Sequence, residues 1–314
     1  MKLHPKLTYA DPADPLAKKV LIRSVERLTG SRRLARIYDT VLQQEAEPHR
    51  LFSAALRELR VQVDYDGSQL QKASHAGPLV LIANHPYGVL DGLIICHFAS
   101  LLRTDFKILI HKLLCTEPRV ERYMLPIDFT ESEVAVQTNI ATKQRALETL
   151  RAGNAIVIFP GGGISTTVNG PFGRAVDLEW KLFVTKLIQM ANATVLPIYF
   201  HGQNSRIFQL ASQMSETLRL ALIIHEVNRK VGHTVRVTIG DPIPYERLAG
   251  IRKRKELLHH LRESIYALSP EKIKHHPPAR LPSERKRLRA EAAQEQLAGD
   301  DGPPWRRWFA SGPY

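Results

Sequence analysis

The chain has 314 residues, a formal net charge of +13 and only two cysteines, Cys96 and Cys115. This length can bury one large core, and a composition of 44% hydrophobic and 24% charged residues is typical of a globular protein. Neither cysteine has a CxxC or ligand-like spacing, which argues against a disulfide framework or a zinc site and fits a reducing compartment. The positive charge favours an anionic partner such as nucleic acid, anionic lipid or a phosphate-rich cofactor.

The first residues are polar and lack the apolar segment of a secretory signal. The apolar residues of Leu16–Leu28 fall on one helical face, with basic residues over much of the rest. Further helices are predicted over Arg32–Gln44 and from Pro48 onward. We interpret residues 1–58 as an N-terminal helical cap, whose basic surface is either simply solvated or faces a membrane. Leu93–Leu102 is too short to span a bilayer and predicts a buried helix, so any membrane association is expected to be peripheral.

From residue 59 onward, short apolar strands alternate with helical segments, which predicts an α/β fold with a mostly parallel sheet flanked by helices over residues 59–268. Residues 269–314 are basic and rich in proline, which predicts a mobile or loosely docked tail. Its segment Trp305–Phe309 sets three aromatic rings beside two arginines. That group suits either a lipid head-group interface or packing on the domain. Strands are expected at Leu59–Tyr65, Pro78–Ala83, Phe106–Ile110, Ala155–Phe159, Thr194–Phe200 and Thr234–Ile239, and helices at Gly92–Leu102, Asn139–Arg151, Glu179–Asn192 and Ser215–Arg229.

A polar motif, Asn84–Gly92, directly follows the apolar strand Pro78–Ala83. Functional side chains gather where the strands of an α/β sheet end and helices begin. Asp91 lies near the start of the next helix, so its carboxylate can fold back on the imidazole of His85. A carboxylate at one ring nitrogen fixes the tautomer and stabilises the imidazolium, which makes the other nitrogen a better base toward a hydroxyl. His85 and Asp91 are therefore the predicted catalytic pair.

A second motif, Phe159–Thr167, also follows an apolar strand and contains Gly161, Gly162, Gly163 and Ser165. Consecutive glycines expose backbone N–H groups that can bind a phosphate or an oxyanion, and the following hydroxyls add donors. A tight structural turn is the alternative interpretation. The loop is not a Walker motif, because no Gly-Lys-Ser/Thr follows.

Together these blocks resemble the lysophospholipid acyltransferase family, typified by 1-acylglycerol-3-phosphate acyltransferases. The resemblance covers about Leu79–Asp241 and rests on Asn-His-…-Asp, a middle block ending in a short apolar strand, Phe-Pro-Gly-Gly-Gly and a Val-Leu-Pro-Ile strand. The chain departs from the family pattern in two places. Five residues rather than four separate His85 from Asp91, as in the branch that resembles haemolysin-like and ornithine-lipid acyltransferases. Gly161 stands where the family usually carries the glutamate that helps bind the acceptor, so lysophosphatidate is not assigned as the acceptor.

The resemblance implies an O-acyltransferase that moves a fatty acyl group from acyl-CoA or acyl-carrier protein to the hydroxyl of a lysolipid, such as a lyso-ornithine lipid. The transfer would take one step in a ternary complex, with no metal or bound cofactor. Its partners would be the lipid acceptor, an anionic membrane surface and an acyl carrier, on the inner face of the cytoplasmic membrane. Besides the glycine loop and Ser165, the candidate anion contacts are Lys107, Lys112, Arg174 and Arg206.

Three other functions stay open. A serine hydrolase or lipase would need a Gly-x-Ser-x-Gly elbow, which the sequence lacks. A non-catalytic basic protein would bind a membrane or nucleic acid, but no nucleic-acid recognition module is evident and aromatic residues make up only 7% of the chain. A family member that has lost activity is consistent with Gly161, although the intact His85 and Asp91 argue against it.

Overall fold

The computed structural model describes residues 8, 10, 14–73, 76–115, 117–128, 130, 132–168, 170–270 and 278–284. The helices are α1 (Leu16–Leu28), α2 (Ser31–Gln44), α3 (Leu51–Glu58), α4 (Ser68–Lys72), α5 (Val89–Leu102), α6 (Glu133–Arg151), α7 (Phe183–Ala191), α8 (Arg206–Met214), α9 (Glu216–Ala221), α10 (Ile223–Lys230), α11 (Tyr245–Leu248) and α12 (Arg254–Tyr266). The strands are β1 (Gln62–Asp64), β2 (Leu79–Ala83), β3 (Phe106–His111), β4 (Met124–Ile127), β5 (Ala155–Ile158), β6 (Thr166–Thr167), β7 (Ala175–Val176), β8 (Thr194–Phe200) and β9 (Thr234–Ile239). Short 3-10 turns occupy Pro48–Arg50, Lys112–Leu114 and Glu121–Tyr123.

Within the described ranges, the main sheet has seven strands in the order β1-β9-β8-β2-β5-β3-β4. The five strands from β8 to β4 run parallel, whereas β9 pairs antiparallel with β8 and parallel with β1. The register sets Ile82 of β2 beside Ile158 of β5 and Pro197 of β8. These three strands therefore present their carboxyl ends at one edge of the sheet. The predicted fold class, an α/β fold with a mostly parallel sheet and flanking helices, is confirmed.

The central strand β2 is buried on both faces, as its continuous apolar sequence predicts. Leu79, Leu81 and Ala83 belong to one hydrophobic cluster, and Val80 and Ile82 belong to a second cluster on the opposite face. Each side chain of this kind stabilises the fold by about 1.5–3 kcal/mol when it is fully buried. A strand held from both sides is a rigid support for the residues that follow it.

The N-terminal helices share the core of the sheet. Ile22 of α1, Leu34 of α2 and Phe52 of α3 belong to the same cluster as Leu81 of β2. The boundary predicted at residue 58 stays a prediction. The helices themselves lie where the periodicity of the sequence indicated.

Several elements differ from the sequence-based expectation at their ends. Helix α6 begins at Glu133 rather than Asn139, because the hydroxyl of Ser132 accepts the amide N–H of Ala135 and caps the helix. The helix predicted over Ser215–Arg229 is interrupted at Leu222, whose N–H donates to the carbonyls of both Leu218 and Arg219. Helices α8 and α12 were not predicted.

Helix α5 contains the apolar segment Leu93–Leu102, most of which is buried as expected. The helix has 14 residues. Among the described residues, no helix combines the length and the apolar character needed to cross a bilayer.

The described part of the predicted tail, residues 278–284, packs on the domain. Ala279 is fully buried, forms a parallel bridge with Leu178 and donates its N–H to the carbonyl of Asp177. Leu281 packs against the second hydrophobic cluster. The boundary of the tail at residue 269 stays a prediction. Residues 285–314, which include Trp305–Phe309, lie outside the described ranges.

Candidate active site

His85 lies two residues beyond the end of β2, at the sheet edge where β5 and β8 also end. Asn84, immediately before it, is buried and spans the gap to β8. Its amide nitrogen donates to the carbonyl of Phe200 at 2.9 Å, and its amide oxygen accepts the N–H of Phe200 at 2.7 Å. Since two hydrogen bonds fix Asn84 to a neighbouring strand, His85 starts from a rigid backbone position.

Asp91 is fully buried in the first turn of α5, and its carboxylate folds back over the preceding turn. The Oδ2 atom accepts the N–H groups of Tyr87 at 2.7 Å and of Gly88 at 2.9 Å. These contacts explain why α5 begins at Val89 rather than at Gly92, because a carboxylate at the start of a helix satisfies amide groups that otherwise have no partner. Gly88 at the turn has φ +76°, a backbone conformation that favours glycine.

The predicted pair is formed: Nδ1 of His85 lies 3.1 Å from Oδ2 of Asp91. At this distance the two side chains form an ion pair when the imidazole is protonated. Catalytic hydrogen bonds are often loose before substrate binds and become shorter in the reactive complex. Burial raises the pKa of the Asp91 carboxyl, and the imidazole and the two backbone donors oppose that shift.

The imidazole of His85 stacks on the ring of Phe159, with centroids 4.0 Å apart and an interplanar angle of 25°. The side chain is 18% exposed, while its Nδ1 is buried against Asp91. Nε2 is therefore the ring nitrogen that does not face Asp91. Phe159 ends the strand segment before the glycine loop, so the stacking places that loop next to the imidazole.

The glycine loop is a closed turn. Gly162, with φ +67°, donates its N–H to the carbonyl of Phe159 at 3.0 Å. A side-chain carbon on Gly163 would lie 2.9 Å from Leu178, and one on Gly161 would lie 3.4 Å from Asp177. The glycines thus allow the segment around Asp177 to pack directly on the loop.

Ser165, predicted to bind substrate, is 2% exposed and serves the architecture of the site. Its N–H donates to the carbonyl of His85 at 2.7 Å, and its hydroxyl donates to Oδ1 of Asp177 at 2.6 Å. The hydroxyl therefore binds Asp177 in this structure, and its predicted role in substrate binding stays a prediction. The hydroxyl also contacts no imidazole, so the nucleophile–base contact that a serine hydrolase needs is absent at Ser165.

Asp177 was not predicted as a site residue, yet its carboxylate binds the loop that contains His85. Its Oδ1 accepts the backbone N–H of His85 at 3.0 Å as well as the Ser165 hydroxyl, and its Oδ2 accepts Nε1 of Trp180 at 2.9 Å. Its own N–H is the donor to the hydroxyl of Tyr266 at 2.9 Å. A buried carboxylate with three donors is a strong structural anchor. Because Asp177 follows His85 by 92 positions, no local motif could have revealed the contact.

Tyr87 joins the same loop to the segment after β8. Its hydroxyl donates to the carbonyl of His201 at 2.6 Å. A side-chain carbon on Gly202, which has φ +94°, would lie 2.0 Å from that hydroxyl, so only glycine fits there. The loops after β2 and β8 therefore form one unit.

Two of the predicted cations lie away from His85. Lys107 of β3 and Val80 of β2 both align with Ile156 of β5. Since β2 continues from Val80 to Ala83, a rise of about 3.3 Å per residue places Lys107 about 10 Å from the carboxyl edge of the sheet. Its ammonium donates to the carbonyl of Arg122. Lys107 therefore lies away from this edge of the sheet, and its predicted role as an anion contact stays a prediction.

Lys112 follows β3 at the correct edge, with β5 between it and β2. It forms a 2.8 Å ion pair with Asp128 and lowers the pKa of that carboxyl to about 2, together with the amide of Thr130. Its predicted role as an anion contact stays a prediction.

The other two predicted cations come together. Arg174 and Arg206 line one open cavity of about 640 Å³, joined there by Arg229 of α10. We call this cavity the arginine pocket; Phe172, Gln203 and Asn204 complete the part of its lining considered below. It lies at the loop after β8, which contacts the His85 loop through Asn84 and Tyr87. Arg229 was missed because it lies far along the chain, on a helix with no distinguishing motif.

The family of the chain is evident from its similarity to known proteins. Residues 16–272 match the family described as Acyltransferase. Lyso-glycine lipid O-acyltransferases from Phocaeicola vulgatus and Bacteroides thetaiotaomicron are 25% and 24% identical over 223 and 224 residues. The alignments cover 68% of this chain and 76% and 78% of those proteins. The crystal structure of the 1-acyl-sn-glycerophosphate (LPA) acyltransferase PlsC from Thermotoga maritima superposes with a TM-score of 0.46 and 16% identity, over 83% of this chain and 99% of that one. The match over residues 16–272 shows that the protein belongs to the acyltransferase family.

Proposed function

We propose that the protein transfers a fatty acyl group from a thioester carrier to the hydroxyl of a lysolipid, with His85 as the general base. The observation that carries this proposal is the imidazole at the sheet edge, with Nδ1 3.1 Å from the buried carboxylate of Asp91 and part of the ring exposed. A base of this kind contributes roughly 10²- to 10⁴-fold to the rate.

The reaction takes place in one ternary complex. Nε2 of His85 accepts the proton of the acceptor hydroxyl while its oxygen attacks the thioester carbonyl carbon. The carbon–sulfur bond then breaks, and the imidazolium returns the proton to the departing thiolate. Asp91 stabilises the imidazolium and fixes the tautomer through Nδ1. Donors in the Gly161–Gly163 turn are proposed to stabilise the negative charge on the carbonyl oxygen, because Phe159 places this turn beside the ring.

The donor is proposed to be acyl-CoA or acyl-carrier protein. Both carry anionic groups, and the net charge of +13 attracts either one. No metal or resident cofactor enters the proposed reaction.

The protein is proposed to work at the surface of an anionic membrane, on its inner face. Helix α1 supports this proposal, because its apolar side chains Leu16 and Leu28 are 75% and 87% exposed. The same helix carries Lys18, Arg23 and Arg27. Exposed apolar and basic side chains on one helix are typical of a segment that lies in a lipid interface.

For the acceptor, we propose a lysolipid built on an amino acid. The relatives from Phocaeicola vulgatus and Bacteroides thetaiotaomicron carry the name of enzymes for lyso-glycine lipid. A glycine linked to a lipid through its nitrogen presents a carboxylate. That group differs from the phosphate of lysophosphatidate, which agrees with the replacement of the usual family glutamate by Gly161.

The test uses the full chain with palmitoyl-CoA or palmitoyl-carrier protein and a lyso-glycine lipid. Thiol release would be followed optically, and the acylated product would be detected by mass spectrometry. We expect the wild type to form a product that has gained one acyl chain, and His85→Ala to lower kcat by about 10²- to 10⁴-fold. The unfolding midpoint of this variant should stay near that of the wild type, since the imidazole lies beyond the buried strand.

His233→Ala is the matched control, because that exposed histidine lies at the amino end of β9. It should retain full activity. Acyl transfer by His85→Ala at the wild-type rate would refute the base assignment, and no product from wild type with any lysolipid would refute the proposed reaction.

A further inference from the structure

The arginine pocket is strongly positive. Three guanidinium groups line it, from Arg174, Arg206 and Arg229, and no aspartate or glutamate does so among the described lining residues. Glu226 lies nearby but accepts hydrogen bonds from the backbone N–H and the hydroxyl of Ser205. A guanidinium matches the two oxygens of a carboxylate or phosphate in one plane. The pocket therefore fits an anionic group and disfavours an ammonium group.

Asn204 gives a second and independent sign that this cavity binds a ligand. Its side chain lines the pocket and is only 2% exposed. Neither its amide nitrogen nor its amide oxygen has a hydrogen-bond partner among the described residues. An unpaired buried polar group costs roughly 1–3 kcal/mol. A ligand that offers both a donor and an acceptor, as an acid with an adjoining amide does, would satisfy both atoms.

Arg206 is oriented before any ligand arrives. Its Nη1 donates to the carbonyls of Pro171 and Gly173 at 3.0 and 3.1 Å. Its guanidinium lies 5.7 Å from the centroid of the Phe172 ring. A guanidinium has five N–H donors, so donors remain on the other nitrogens. An arginine held in this way loses less conformational entropy on binding.

An apolar groove of about 240 Å³ shares the lining residue Ile207 with the pocket. Ile207 lines both cavities, and the groove walls include Leu210 and Met214 of α8 and Val25 of α1. Ile207 and Met214 are 61% and 66% exposed. An anion pocket that adjoins an apolar groove matches an amphipathic molecule with a charged head and an alkyl chain.

We propose that the arginine pocket binds the head-group carboxylate of the lysolipid acceptor. Arg174 and Arg206 pair with the carboxylate, Asn204 bonds the adjoining amide, and the alkyl chain passes Ile207 into the groove. This assignment rests on the proposed function. It makes the pocket the element that selects a monoanionic amino-acid lysolipid over an ornithine-type head group, whose ammonium would face the arginines. The loop after β8, which supplies Gln203 and Asn204 to the pocket, is joined to the His85 loop by the hydrogen bonds of Asn84 to Phe200 and of Tyr87 to His201.

The first experiment uses the wild type and two acceptors, lyso-glycine lipid and its methyl ester. Esterification removes the charge and changes nothing else near the reacting hydroxyl. We expect kcat/KM to fall by about 10- to 100-fold for the ester, since hydrogen bonds to a charged group contribute about 1.5–3 kcal/mol. Equal turnover of acid and ester would overturn the assignment, whereas no turnover of either would count against the proposed function instead.

The second experiment asks which substrate the pocket serves. Arg206→Gln should raise KM for the acid roughly 10-fold or more, leave KM for acyl-CoA unchanged and remove the preference for acid over ester. Arg252→Gln, an exposed arginine outside the pocket, should behave like the wild type. A rise in KM for acyl-CoA alone would show that the pocket holds a donor phosphate and would overturn the proposal.

Discussion

The His85 region and the arginine pocket are built in different ways. Around His85, buried groups contact one another: Asn84 bonds β8, Asp91 bonds the start of α5 and Asp177 bonds the His85 backbone. Around the pocket, Arg206 and Arg229 are exposed on a loop-to-helix junction and on α10. The difference indicates that the His85 region is held rigidly by buried strand ends, whereas the arginine pocket is built from side chains at the surface.

The largest effect that would test this contrast is expected from Asp91→Asn. The amide removes the charge that stabilises the imidazolium, so kcat should fall by about 10²- to 10⁴-fold. The variant should nevertheless be more stable than the wild type. Burial raises the pKa of the Asp91 carboxyl, so the ionised carboxylate costs free energy in the folded state.

The direction in which stability changes with pH follows from the linkage between proton binding and folding. The unfolded carboxyl titrates near 3.9, and the folded one titrates higher, so stability falls as pH rises from the unfolded value through the folded one. Asp91→Asn removes this decline. Its unfolding midpoint should therefore exceed that of the wild type by a margin that grows as pH rises above about 4, until the folded carboxyl is ionised. A variant that is less stable at pH 7 would show that the contact with His85 outweighs the burial of the charge.

A smaller effect is expected from Asp177→Asn, which keeps the shape of the side chain. One oxygen becomes an NH₂ group that faces either the Trp180 donor or the two donors on Oδ1, at a cost of about 1–3 kcal/mol of folding free energy. Since the residue positions His85 and does not touch substrate, kcat should fall several-fold with KM for the acceptor unchanged.

Trp180→Phe gives the matched control for Asp177→Asn. In the double variant the indole donor is gone, so the NH₂ group can face that side without conflict and part of the stability should return. Thermal unfolding of the four proteins measures this coupling. Strictly additive losses would show that Asp177 and Trp180 act independently.

The smallest effect is expected from Lys107→Gln. The ammonium donates to the carbonyl of Arg122 and lies 3.7 Å from Asp105, well below the catalytic edge. Kinetic constants for both substrates should stay at wild-type values, and stability should change by less than about 1 kcal/mol. A raised KM for either substrate would place Lys107 in contact with it, contrary to the register of β3.

The sequence predicted those parts of the site that are formed by residues close to one another in the chain. The apolar run ending at Ala83, the polar turn and the carboxylate at Asp91 follow one another, so strand, base and partner could be read from adjacent positions. The start of α5 was placed three residues late, because Asp91 was considered as a partner of His85 and not also as the acceptor for the amides of Tyr87 and Gly88.

The remaining parts depend on contacts between distant segments. Asp177 binds the backbone of His85, and Arg229 of α10 lines the same cavity as Arg174, although neither residue has a motif around it. Lys107 is the converse case, because the sequence placed it at the site and the structure places it elsewhere. A lysine in a strand beside the site was a reasonable anion contact, but only the register reveals that it lies at the level of Val80 rather than at the carboxyl edge.

The bridge between Ala279 and Leu178 has a practical consequence for shortened versions of the protein. The family match ends at residue 272, and the predicted domain at 268, so both invite a stop codon just before this bridge. Such a cut would remove the N–H that binds the carbonyl of Asp177 and uncover Leu178, which is 6% exposed in the intact fold. Because Asp177 also binds the backbone N–H of His85, the loss would disturb the His85 loop. A poorly folded truncation would then be mistaken for an inactive enzyme. Versions that extend at least through Glu284 keep the bridge and the contact of Leu281 with the core.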